Sequence, residues 1–343
     1  MVVGVAIASA LSAVCGLAGA QTSACATRPD GEGKRVEETG FVALGGIEQW
    51  VTIRGDDRSN PVLLHVHGGP GIAFSAFTAE FAPYEADFTV VQWDQRGAGC
   101  TFGRYGQDTP DVTLDRITRD GIELAEYLKQ RLPNARIIVL GHSFGSIVAT
   151  QMVARAPEHF AAYVGTGQFA SFAGTVDAQI AYMRERAAPG DSELIAQLDE
   201  LGALDSQTVQ KFGAVNRLLA SRGPAADTAF IQSLQSRAAD VMAPQELADW
   251  QAARGASAAR LVPQMPSLDL FATISRLEVP FVVIQGRDDP NTPTGLASAF
   301  FEHVEAPAKE LVIIEGAGHF PHVTHTAKFL AALLRTARPL ALH

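Results

Sequence analysis

Directly between an apolar run of strand character, Ile137 to Leu140, and a run of helical spacing, Ile147 to Ala156, stands the pentapeptide Gly141-His142-Ser143-Phe144-Gly145. A turn this short between strand and helix forces a strained backbone on its central residue, and the small residues two positions to either side keep strand and helix from colliding. The serine hydroxyl is then held clear of the sheet, with the helix start and nearby amides facing it. A chain carrying this junction is committed to packing a helix back against a strand.

The flanking sequence repeats the strand-helix alternation. Phe41 to Leu44 and Ile47 to Arg54 flank Gly45-Gly46 as a hairpin. Val62 to Val66 and Phe88 to Trp93 are short β-branched and aromatic runs that end in Gly-rich loops, as buried parallel strands do. Apolar residues recur at near-helical spacing from Leu114 to Leu132, and Ala161 to Gly165 reads as the next strand. From Gln168 to Pro263 the pattern changes to Ala-, Leu-, Gln- and charge-rich helical stretches without strands. Alternation resumes with a strand at Phe281 to Gln285, a helix at Thr294 to Val304, a strand at Leu311 to Glu315 and a helix at Val323 to Thr336. The expected architecture is α/β, a mainly parallel sheet with helices on both faces. Its body spans 39–167 and 264–343, an inserted helical lid spans 168–263, and the polar stretch 21–38 reads as a linker.

A serine hydroxyl is a poor nucleophile at its own pKa, so it needs a base, and the base needs an orienting carboxylate. On this kind of sheet the partners follow in the order acid, then histidine. Gly286-Arg287-Asp288-Asp289-Pro290 follows one late strand and Gly316-Ala317-Gly318-His319 the next, both at carboxyl ends, where open α/β sheets place their sites. His319 is the candidate base, and either Asp288 or Asp289 can be its partner. The loop His65-Val66-His67-Gly68-Gly69-Pro70-Gly71 supplies unobstructed backbone amides; one of them, with the Phe144 amide, can form an oxyanion hole. His65-x-His67 and the spacing of His319, His322 and His325 admit a metal reading. No carboxylate or cysteine set completes either group at ligand spacing, so neither a metal nor a cofactor is expected.

The whole chain limits the alternatives. With 343 residues, 47% hydrophobic and 19% charged, it has the make-up of an ordinary globular enzyme. A net charge of −10 argues against nucleic acid, whose binding is driven by clustered Lys and Arg. Val2 to Ala20 is an apolar run ending in the small-residue pattern of a cleavage site, although it lacks a basic start. Residues 1–20 are read as a cleaved export signal; the mature body is expected outside the cytoplasm, without stable membrane insertion. Cys15 falls in that segment. Cys25 and Cys100 can pair in an exported chain, but a flexible position for Cys25 weighs towards independent thiols.

His67-Gly68-Gly69-Pro70-Gly71, Asp94-Gln95-Arg96-Gly97, the serine elbow, and Gly286-Arg287-Asp288-Asp289 with Pro293 together resemble the proline iminopeptidase (prolyl aminopeptidase) family of α/β hydrolases. The resemblance covers about Phe41 to Gly165 and Val279 to His319. It implies the α/β-hydrolase fold and a Ser143, His319, Asp289 triad, the acid being the last residue of a Gly-Arg-x-Asp motif. It also implies that the oxyanion amide is that of Gly69, and that the substrate is a small peptide losing its N-terminal residue. The chain departs from the family at the elbow, where His142 and Phe144 replace the usual Gly and Trp, and after Gly165, where the aromatic-rich entry to a proline-binding lid is missing. Hydrolysis of small esters or lactones on the same triad is the alternative, and a noncatalytic binding protein on the same fold a third reading. An aminopeptidase must recognise an α-ammonium group, which in a covered site requires a carboxylate. Glu185, Glu193, Glu200 and Glu246 are the candidates, and at least one acid between Gln168 and Pro263 is expected to point into the cleft over Ser143.

Overall fold

Val62–Val66 is buried at every residue, so neither face of that strand meets water and it must lie inside a sheet covered on both sides. The computed structural model describes residues 23–342 except 133–134 and 222–223; the segment 1–20 read as an export signal lies outside them. Among the described residues eight strands form one sheet. In chain order they are β1 (Val36–Leu44), β2 (Ile47–Gly55), β3 (Val62–Val66), β4 (Thr89–Asp94), β5 (Ile137–His142), β6 (Phe160–Thr166), β7 (Phe281–Gly286) and β8 (Lys309–Ile314). Their spatial order is β1-β2-β4-β3-β5-β6-β7-β8. The β1–β2 hairpin and the β2–β4 pair are antiparallel and every other pair is parallel.

The helices are α1 (Gly99–Tyr105), α2 (Leu114–Arg131) and α3 (Phe144–Arg155), then α4 (Phe172–Glu185), α5 (Ser192–Gly202), α6 (Val209–Ala220), α7 (Ala225–Val241), α8 (Pro244–Leu261) and the short α9 (Leu270–Thr273). After β7 come α10 (Thr294–His303), α11 (Pro321–Thr324) and α12 (Thr326–Thr336). α4 to α8 all fall between β6 and β7, where the sequence pattern loses its strands. Alternation along β5 divides the core between the two faces. Ile137 and Val139 pack with Ile117, Leu124 and Leu128 of α2, while Ile138 and Leu140 pack with Phe329 and Leu333 of α12. Each such side chain contributes about 1.5–3 kcal/mol by leaving water.

Parallel register brings the carboxyl ends of β3, β5 and β6 side by side, with Val66 opposite Gly141 and Gly141 opposite Gly165. Gly286 and Ile314 end β7 and β8 in the same register. The loops that carry the candidate site residues therefore leave the same, carboxyl end of the sheet.

Three features differ from the sequence reading. Residues 23–38 of the stretch read as a linker are tied to the body. β1 already begins at Val36, Arg28 and Thr39 exchange backbone hydrogen bonds of 2.8 and 2.9 Å, and the Asp30 carboxylate pairs with Arg58 and Arg131. Cys25 and Cys100 are not independent thiols but form a disulfide. Glu246 explains why Cys25 is not loose: its carboxylate accepts the Ala24 and Cys25 amides at 3.0 and 3.1 Å and the Ser23 hydroxyl, fixing the segment beside α1. α1 has no signal in the sequence, because Gly99-Cys100-Thr101-Phe102-Gly103 lacks any helical period. It forms where the buried Asp94 carboxylate accepts the Cys100 amide at 2.8 Å and the Thr101 hydroxyl donates to the Asp94 carbonyl at 2.6 Å.

Candidate active site

Ser143 sits between β5 and α3 with φ 56° and ψ −125°, a left-handed geometry that a side-chain-bearing residue adopts only when its surroundings impose it. Close approach imposes it here. A Cβ on Gly145 would lie 2.0 Å from the Val66 carbonyl oxygen, so α3 can begin against the end of β3 only because that residue is glycine. The Ser143 amide donates to the Thr166 carbonyl at 3.0 Å, and the Ser146 amide and hydroxyl both donate to the Ser143 carbonyl, at 2.8 and 2.6 Å. The side chain remains half-buried. Among the described residues the Ser143 hydroxyl makes no hydrogen bond, to His319 or otherwise, and such bonds commonly tighten only with substrate present.

Asp289 and His319 do meet. His319 Nδ1 lies 2.9 and 3.0 Å from the two Asp289 carboxylate oxygens. With that nitrogen carrying the proton and donating, Nε2 is left as the acceptor a base needs. Asp289 is held in turn by the amides of Asn291 and Thr292 at 2.8 and 3.0 Å, the Thr292 hydroxyl at 2.8 Å and the Gln285 side-chain amide at 2.8 Å. Asp288 points elsewhere: its carboxylate is 41% exposed and pairs with Arg186. Burial would by itself push the His319 imidazole below its ordinary value. The charge and hydrogen bond of Asp289, with the charge of Asp227, overcome this and leave it raised.

Serine and histidine converge on the end of β6. Thr166 takes the Ser143 amide, and a Cβ on the next residue, Gly167, would lie 2.8 Å from His319 Cε1. The His142 ring, adjacent in sequence to Ser143, lies tilted 4.8 Å from that of His319, and its Nε2 lies 3.0 Å from the His319 carbonyl oxygen. A Cβ on Gly68 would approach Ser143 Cβ to 2.8 Å, so the glycine loop lies against the elbow. Among the described residues no acceptor takes the amide of Gly69 or of Phe144. Both donors are available to an oxygen developing charge.

The histidines of the metal reading part company. His67 donates from Nδ1 to the Gly68 carbonyl at 2.9 Å and accepts the Gln95 amide at Nε2. His65 and His322 belong to an aromatic cluster with Phe74, Phe81 and His142. Burial pushes His322 down to about 3 and His67 to about 4, and holds His65 and His142 well below the ordinary imidazole value, so none of the four competes with His319 as a charged group. Among the described residues no group of three or more His, Cys, Asp or Glu side chains could hold a metal ion.

None of the four acids named for the cleft is a buried, free carboxylate. Glu185, Glu193 and Glu200 are exposed, and Glu246 is committed to the N-terminal segment. Sequence reading missed the acid of the insertion that does reach His319: Asp227 of α7, which accepts the His319 amide at 2.6 Å. It also missed Thr292 and Gln285 as holders of Asp289. For Thr292 a local cue existed in the Asp-Pro-Asn-Thr turn, whose leading carboxylate is suited to cap the amides that follow.

A family model described as alpha/beta hydrolase family matches residues 63–333. The probable aminopeptidase YbaC of Bacillus subtilis (strain 168) is 25% identical over 304 residues, 87% of this chain and 95% of that protein. A pimeloyl-[acyl-carrier protein] methyl ester esterase of Klebsiella pneumoniae (strain 342) is 26% identical over 286 residues, 83% of this chain and 95% of that one. Among solved structures, proline iminopeptidase of Mycobacterium smegmatis superposes with a TM-score of 0.62 at 20% identity, over 89% of this chain and 99% of that chain, a likeness of fold.

Proposed function

The chain belongs to the alpha/beta hydrolase family, and from that premise we propose that it is a serine hydrolase acting through Ser143, His319 and Asp289. The observation that carries this reading is the buried His319–Asp289 pair at 2.9 Å beside a serine held at positive φ. Ser143 Oγ attacks the substrate carbonyl while His319 Nε2 takes its proton, and the Gly69 and Phe144 amides receive the oxyanion. His319 then protonates the leaving group, and water cleaves the acyl-enzyme by the reverse sequence.

We further propose that the substrate is a small peptide from which the enzyme releases the N-terminal residue, of proline type. Support comes from the near full-length similarity to a probable aminopeptidase and from the paired glycine-loop and Asp94-Gln95-Arg96-Gly97 motifs. A small carboxylic ester is the second reading. It is favoured by the exposure of Glu185, Glu193 and Glu200 and the engagement of Glu246 with the N-terminal segment, which leaves none of the four as a buried partner for an α-ammonium. Export of the mature body is part of the proposal, supported by the Cys25–Cys100 bond, since such bonds persist in oxidising compartments.

A panel of prolyl and other aminoacyl arylamides, their N-acetyl forms and aryl esters, run with wild type and Ser143→Ala, tests both levels. The alanine variant is expected to be inactive on all of them, and activity in it would end the serine mechanism. Acetylation is expected to lower kcat/KM by about 10², the scale of losing one buried charged partner. Equal cleavage of free and acetylated substrates would move the assignment to the ester.

A further inference from the structure

The loop that carries His319 is held from two directions. Asp289 holds the ring, and Asp227, in the first turn of α7, holds the backbone: its Oδ2 accepts the His319 amide at 2.6 Å and its Oδ1 the Phe320 amide at 3.4 Å. The carboxylate is buried, with 4% of the residue exposed. Its approach depends on Gly318, where a Cβ would lie 2.1 Å from Asp227 Oδ2, so a side chain there would displace the carboxylate from the His319 and Phe320 amides. One turn further along α7, Phe230 packs its ring 5.3 Å from that of Phe320 and stacks on Phe74 at 6.3 Å. Two successive residues of the base-bearing loop are thus fastened to a helix of the insertion.

We propose that Asp227 is a positioning residue that couples the seating of the helical insertion to the alignment of His319, so that base and cover are set in place as one unit. The proposal rests on the triad reading above. When α7 is docked, two amides of the loop are satisfied by a buried carboxylate and the imidazole is aimed between Asp289 and the elbow. When α7 moves away, the loop loses its backbone anchor while Asp289 keeps only the ring. Asp227 is also the second negative charge near His319, so it favours the imidazolium formed when Ser143 is deprotonated. The other groups around this pair are Asp289 beyond β7, His142 of β5, His322 of α11, and Tyr182 of α4 with its neighbours Arg186 and Asp288. The buried histidines are neutral, so the charge acting on His319 comes from the two aspartates.

Hydrogen exchange measured by mass spectrometry on the full chain, together with kcat and KM across pH, tests this. Asp227→Ala is expected to raise exchange in peptides covering 316–320 and the first half of α7 together. It should also lower kcat by about 10², the cost of a small misplacement of a catalytic group, with KM within about twofold. Asp227→Asn keeps an acceptor oxygen but not the charge. It should restore the exchange protection and move the acid limb of kcat to lower pH, because a less elevated His319 stays neutral further down the scale. Gly318→Ala, which expels the carboxylate, should reproduce the Asp227→Ala pattern. Unchanged exchange at 316–320 in both disruptive variants would overturn the coupling. So would an acid limb unmoved in Asp227→Asn, or a KM raised tenfold or more at constant kcat, which would make Asp227 a substrate-binding acid instead. The exchange arm needs no turnover: an active Ser143→Ala would remove the triad reading without touching it, and lost coupling with an inactive Ser143→Ala would remove only the proposal.

Discussion

Two adjacent aspartates differ in everything except sequence position. Asp289 is buried, faces His319 and accepts hydrogen bonds from Gln285, Asn291 and Thr292; Asp288 is half-exposed and pairs with Arg186. Replacing Asp289 by Asn keeps the shape but offers His319 Nδ1 an amide, which allows the wrong tautomer at Nε2, and the expected loss in kcat is on the order of 10⁴. Asp288→Asn should stay within about threefold of wild type, since breaking an exposed ion pair costs at most about 1 kcal/mol. Parallel kinetics on the two purified variants decide it, and the opposite ranking would mean that the orienting acid is misassigned.

α1 shows how a short element without its own helical pattern is secured by its neighbours. Asp94 caps it, α8 packs along it, and the bond from Cys100 to Cys25 ties it to the segment that Glu246 gathers. The disulfide closes a loop between residues 75 apart, so removing it frees the unfolded chain. The double variant Cys25→Ser, Cys100→Ser is expected to lose on the order of 2–4 kcal/mol, read as a lower midpoint in urea. Neither cysteine contacts Ser143 or His319, so turnover of the folded fraction should be unchanged. Equal midpoints for wild type and the double variant would show that Glu246 alone holds the segment.

For the molecule as a whole, pH acts on stability from two sides. Burial works against the Asp30 charge, but its hydrogen bonds with Arg58 and Arg131 hold it below the ordinary carboxylate range; Glu37 is likewise lowered, beside Arg54 and Arg28. Groups depressed on folding contribute stability above their unfolded pKa, and that contribution is lost as pH falls through the folded value. The midpoint of thermal unfolding should therefore drop on acidification below about pH 4. Asp94 has the opposite sign. Burial pushes it up to about 7, so its neutral form favours the fold, and that contribution fades as pH rises from the ordinary carboxylate range through about 7. Asp94→Asn keeps an acceptor for the Cys100 amide and removes the titration. The fall in Tm between pH 5 and pH 8 should be shallower in this variant than in wild type, and identical slopes would show that Asp94 does not titrate in this window.

Patterns that repeat within one turn or one strand were readable directly from the chain. Period-2 and continuous apolar runs marked the strands at Val62–Val66 and Phe281–Gly286, the near-helical spacing marked α2, and the glycines around Ser143 marked the elbow, because each reflects an interaction between residues close in sequence. The loss of strand pattern after Gly165 likewise announced the helical insertion. What the chain could not express was which face each insertion helix turns inward. The exposed residues of α5 and α7 mix Ala, Gln and acids, so nothing local separated the solvated Glu193 and Glu200 from Asp227. The contact from Asp227 to His319 spans 92 residues, that from Glu246 to Cys25 spans 221, and α1 owes its existence to β4 and α8. Local periodicity determined the strands of the sheet and the strand-turn-helix context of the elbow. The tertiary structure alone decided which buried charges meet, because a carboxylate is removed from water only where partners from distant segments converge to satisfy it.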